Sequence, residues 1–191
     1  MAKRQSKSTP TWAEVKAKLA GFDRAGLLDL VHSLYATHQH NQAFLHARLG
    51  LGEDTLEPFK KTIHRWLRPD LSRRQDVSVA RAKQAISDYK KALGDTEGVV
   101  ELMVFYCEQA AGFCGEITYD DEGYLDALVR MFARALETTT SLSANVQNGL
   151  IDRLDNVRNL SHEFGYGIGH NMDVRLSEFV SERPRLARRI G

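Results

Sequence analysis

The stretch EGVVELMVFYCEQAAGFCGEI, residues 97–117, constrains the fold more than any other part of the chain. Wound at 3.6 residues per turn, its apolar side chains cover more than half of the helical circumference. The polar remainder is a strip of Glu101, Glu108, Gly112, Gly115 and Glu116. A helix with so little polar surface needs neighbours on several sides, which places it at the centre of a helical fold.

The remaining sequence supplies such neighbours. TPTWAEVKAKLAGF opens on a T-x-x-E capping box, Thr11 to Glu14, and predicts a short helix to about Leu19. Asp23 caps a second helix, whose Leu27, Leu30, Val31, Leu34 and Tyr35 recur at helical spacing. A third is expected over 42–49, ending at Gly50 and Gly52. Thr55 is the expected cap of a fourth that stops near Pro69, with Pro58 tolerated in its first turn. SVARAKQAISDYKKALGD carries one narrow seam, Val79, Ala82, Ile86, Tyr89 and Leu93, closed by Gly94. Beyond the central helix, two more apolar faces run from Tyr124 to Leu136 and from Val146 to Leu160, and MDVRLSEFV reads as a short last helix. No stretch alternates with period two and the β-branched content of a strand. The expected fold is all-α: a single domain of seven to nine helices packed as antiparallel hairpins, α-solenoid-like or a curled bundle. It spans residues 9–183, between loose basic tails at 1–8 and 184–191.

Composition sets the class. With 42% hydrophobic and 27% charged residues in 191, the chain is neither disordered nor membrane-embedded. The basic N-terminus has no apolar run behind it, so a cytoplasmic location is expected. Cys107 and Cys114, seven apart on a helix, lie roughly 10 Å apart along its axis, beyond disulfide reach, and suit buried small hydrophobes. Net charge is only +1, but it is unevenly spread. Residues 60–91 hold ten basic groups against three acids, and residues 95–126 hold nine acids with no Lys or Arg. Such a split either steers a charged partner or draws neighbouring helices together.

Motifs of chemistry are scarce. SHEFGYGIGHNMD, residues 161–173, spaces its glycines as G-x-G-x-G after a helix, whereas a dinucleotide loop needs G-x-G-x-x-G after a strand. His162 and Glu163 begin an H-E-x-x-H zinc motif, but Tyr166 stands where its second histidine belongs. His170 and Asp173 alone do not close a metal site. The stretch reads as a turn, with Gly165 in a left-handed helix cap and Tyr166 and Ile168 as apolar plugs; Tyr166 and His170 are the residues through which it would act as a site. His32, His38, His40 and His46 cannot gather on one ion if their helix is continuous. There is no nucleophile elbow, P-loop or cysteine–histidine pair, so neither an enzyme nor a cofactor is expected.

The pair of motifs VSVARAKQAISDYKKALGD and GYGIGHNMDVRL resembles a family of small bacterial all-helical proteins of unknown function. The resemblance implies the helical fold over about residues 11–176 and carries no catalytic residues. Where it implies tryptophan in the turn this chain has Tyr166, and where it implies an acid after the histidine it has Asn171. The functional expectation is a non-enzymatic protein–protein interaction or adaptor module. The alternative is a nucleic-acid-associated protein using segment 60–91 and the basic tails. The candidate interaction surface is Arg65, Arg68, Arg73, Arg74, Arg81, Lys83 and Lys90.

Overall fold

Side-chain caps start most of the helices of the computed structural model. Residues 9–52 and 54–190 are described, the last eight by their backbone alone. Thr11 and Glu14 close a capping box at the head of α1 (Trp12–Leu19). Asp23 accepts from the Gly26 amide at 2.8 Å to open α2 (Arg24–Thr37). His38 is extended, so α2 breaks there and α3 (Gln39–Arg48) follows at once. The start of α4 (Glu57–Leu67) corrects the expectation of a Thr55 cap. Asp54 serves instead, its Oδ1 accepting from the amides of Leu56 and Glu57, because a carboxylate two residues back reaches both orphan donors. Ser78 caps α5 (Val79–Ala92), Asp95 caps α6 (Thr96–Ile117) and Asp121 caps α7 (Glu122–Thr139). Helices α8 (Ala144–Ser161) and α9 (Ile168–Ile190) complete the chain.

Nine α-helices and one 3-10 turn, Leu71–Arg73, make up the regular structure of the described residues, and no strand accompanies them. No described helix is long and apolar enough to cross a membrane. The chain divides into two compact units, Met1–Leu45 and His46–Gly191. In the first unit neither α1 nor α2 buries a single residue. In the second, α6 packs against α4, α5, α7 and α8, while α9 lies on α7 and α8. Val100, Leu102, Val104 and Cys107 are inaccessible around its middle, as the apolar circumference requires. Burying such side chains contributes about 1.5–3 kcal/mol each. Cys107 and Cys114 are both buried and free; burial pushes the Cys114 thiol up to about 12 and that of Cys107 higher still.

The polar strip of α6 is met by charge. Arg153 of α8 places Nη1 at 2.5 Å from Glu101 and Nε at 2.7 Å from Glu108, one guanidinium spanning two helical turns. Lys60 of α4 adds a second cation, 2.8 Å from Glu101. Burial pushes the Glu101 carboxyl up, but hydrogen bonds from Arg153 and Lys60 outweigh it and hold the group below its ordinary 4.5.

Three expectations about the C-terminal region are corrected. The last helix, expected to be short, continues as backbone helix to Ile190, in a stretch rich in the strong helix formers Arg, Leu and Ala; the tail at 1–8 and Gly191 lie outside the described residues. Gly165 is not the left-handed residue of the turn. Helix α8 ends at Ser161 and unwinds through i→i+3 bonds, Glu163 N to Leu160 O and Phe164 N to Ser161 O. The left-handed positions therefore fall later, at Tyr166 (φ 58°) and Gly167 (φ 65°). Tyr166 is 56% exposed rather than a plug, whereas Ile168 is buried. Besides the left-handed Gly167, the turn needs Gly169, where an added Cβ would come within 2.7 Å of the His162 Cα.

Gly169→Ala should therefore destabilise by about 1–3 kcal/mol in urea unfolding, as overpacking against backbone does. Gly165→Ala, facing only the Asp120 carboxylate at 3.3 Å, should stay within about 0.5 kcal/mol. Arg153→Met should cost about 1–3 kcal/mol at neutral pH, less than a fully buried pair because its side chain is 35% exposed. A depressed carboxyl contributes stability above its ordinary value and loses it as pH falls through the lowered one. The wild type should thus lose stability below pH 4.5, and the variant should show a shallower loss over the same window.

Candidate functional site

The basic residues singled out in the sequence do not form one patch. Arg68 is spent in an ion pair with Glu116, and Arg73 lies 3.2 Å from Asp70. Arg74 occupies a left-handed position (φ 53°) at the end of a single 3-10 turn. Arg65 and Arg81 both lie over the Trp66 ring, 4.5 and 4.2 Å from its centroid, so cation–π contact engages that aromatic. The pairs Lys60–Glu101 and Arg68–Glu116 join the basic segment to the acidic one across α4 and α6.

Lys83 and Lys90 are different. Seven residues apart, they share one face of α5 about 10 Å apart along the axis. That face borders a concavity of 310 Å³, with Arg130 and Arg134 of α7 on the same rim. The two arginines are four apart and therefore also share a face. Ile86, Val99, Met103 and Met131 form the apolar lining, all nearly buried. Of the four cations only Arg130 has an acid, Asp126 at 2.5 Å. Among the described residues Lys83, Lys90 and Arg134 have none. Burial lowers the proton affinity of Lys83, Arg130 and Arg134 lower it further, and Asp126 works the other way. Helix α6 brings these groups together: α5 and α7 both pack on it, so side chains more than 40 residues apart in sequence face one hollow.

The late turn places its candidates apart. His162 Nε2 lies 3.3 Å from Asp173 Oδ1, which also accepts from Arg158 Nη1 at 2.6 Å. The Arg158 guanidinium holds the Asp173 carboxyl below the usual range, with a further contribution from His162. His170 and Tyr166 are exposed and take no part in that set. Among the described residues no group of three or more His, Cys, Asp or Glu could hold a metal ion.

Arg130, Arg134 and Arg153 were not singled out from sequence. The first two stand beside the apolar stripe of α7 at i, i+4 spacing, which marks a charged edge but not what that edge faces. No protein-family model, curated protein or solved structure matches the chain.

Three unpaired cations around one hollow repel each other. Arg134→Gln should consequently cause no loss of stability in urea unfolding and a gain of up to about 0.5 kcal/mol. The gain should shrink as salt is raised, since screening removes the repulsion being relieved. A clear destabilisation would mean that the arginine is held by a favourable contact.

Proposed function

We propose that this protein is a non-enzymatic interaction module that docks a protein partner through its N-terminal helices. The observation that carries this reading is the unburied apolar stripe of α2. Leu27, Leu28, Leu30, Val31 and Leu34 are all exposed, Leu28 by 59% and Leu34 by 52%. On a helical wheel, with Tyr35, they cover about 160° of α2. Trp12, at 70% exposed, and Val15 add a second apolar edge on α1. Isolated apolar residues at a surface are ordinary, but a contiguous stripe of this kind marks a contact surface.

The partner that suits it is an amphipathic helix from another protein, laid along the stripe by i, i+3, i+4 anchors. Arg24, in the first turn, is the one charged side chain of α2 within that arc, and Asp29 lies on the opposite face. Apolar contact rather than charge steering is therefore the recognition chemistry. The alternative, nucleic-acid binding by segment 60–91, draws less support. Two of its arginines are paired with acids, and two more lie over the Trp66 ring that would otherwise stack a base.

A photo-crosslinking side chain at position 31, at the centre of the stripe, should yield a discrete adduct with another protein in cells. The same group at position 29, about 160° around the helix, should not. Leu28→Glu with Leu34→Glu should abolish the adduct while changing stability by no more than about 0.5 kcal/mol, because neither side chain is buried in the isolated chain. Adducts formed only with a second copy of the chain, or equally from both positions, would overturn the reading.

A further inference from the structure

The hollow between α5 and α7 has a chemistry of its own, independent of the N-terminal stripe. We propose that it is a binding site for a small amphiphilic anion, a phosphate or carboxylate head carried on an aliphatic or aromatic body. The head would meet Lys83, Lys90 and Arg134, and the body would lie against Met103 and Met131.

Charge, shape and lining each support this assignment. Lys83, Lys90 and Arg134 converge on one concavity without an acid partner among the described residues; no carboxylate is among its lining residues, and Asp126, which acts on Lys83, is engaged by Arg130. An anion placed among them would relieve mutual repulsion and gain charge-assisted hydrogen bonds; the arginine fork offers paired N–H donors and the lysines add mobile point charges. Ser87, on the same rim of α5, supplies a neutral donor. The lining beneath is apolar, and two of its four members are methionines, whose unbranched thioethers adapt to ligands of varied shape. A free inorganic anion would use the rim and leave that lining unused. At 310 Å³ the hollow sits at the lower end of small-ligand sites, roughly 300–1,000 Å³, which suits a short chain or one to two rings.

The test is calorimetric titration of the full chain with octyl phosphate, octanoate, inorganic phosphate and octylammonium at low salt. Saturable one-to-one binding of at least one octyl anion is expected, with inorganic phosphate about tenfold weaker or more, and no binding of octylammonium. Preference between octyl phosphate and octanoate identifies the head group, and either result supports the site. Lys83→Gln with Arg134→Gln should weaken the preferred anion by about tenfold or more, the expected loss for charged hydrogen bonds. Lys91→Gln, the adjacent exposed lysine that does not line the hollow, should leave affinity unchanged. Should the double variant fold poorly, Lys90→Gln alone must still weaken binding, since its side chain is exposed. No saturable binding of either octyl anion, equal binding of octylammonium, equal binding of inorganic phosphate, or affinity unaltered by the rim substitutions would each overturn the proposal.

Discussion

Helix α6 must hide nearly its whole surface, and its few charged residues must be satisfied where they stand. Glu101 and Glu108 lie seven residues apart on a helix otherwise surrounded by apolar contacts, and an uncompensated carboxylate there would be costly. Arg153 satisfies both at once, and Lys60 supports the first. Helices α4 and α8, which pack on α6, bring the cations to this strip, while α5 and α7 cover apolar flanks. The positions of the surrounding helices follow from one apolar cylinder with a single charged seam.

That arrangement decides where the remaining charge goes. Part of the basic segment neutralises the acidic one, through Lys60 with Glu101 and Arg68 with Glu116. Lys83 and Lys90 line the hollow beside α7, where they meet Arg130 and Arg134, and where the Asp126 carboxylate is engaged by Arg130. A chain with a net charge of +1 thus keeps a local excess of positive charge over an apolar lining. Concentrating like charge costs folding free energy, and residues that do so are commonly retained for binding. The N-terminal stripe of α2 is the apolar counterpart: side chains at core spacing with no core of their own.

The late turn shows where local reading stops. The glycines of residues 165–169 were recognisable as a turn, and Ile168 as its buried anchor. Which glycine is required was not recognisable, because the requirement comes from the folded-back neighbour. Gly169 is needed because His162 passes within 2.7 Å of where its Cβ would be, seven residues earlier in the chain. The left-handed strain moved to Tyr166 and Gly167 because α8 loosens after Ser161, an outcome set by competing backbone bonds and not by a residue type.

The sequence by itself determined the all-helical class, the central place of α6, the caps at Thr11 and Asp23, and the two buried thiols. Each of these rests on interactions spanning at most a few turns: a carboxylate reaching an amide three residues on, or an apolar period of 3.6. Only the tertiary structure decided that Arg153 bridges Glu101 and Glu108, that Asp173 turns to Arg158 and His162 rather than His170, and that Arg130 and Arg134 complete a rim begun by Lys83 and Lys90. Charge is long in reach but carries no address in sequence. Which cation meets which carboxylate, and which meets none, depends on how the helices pack around α6.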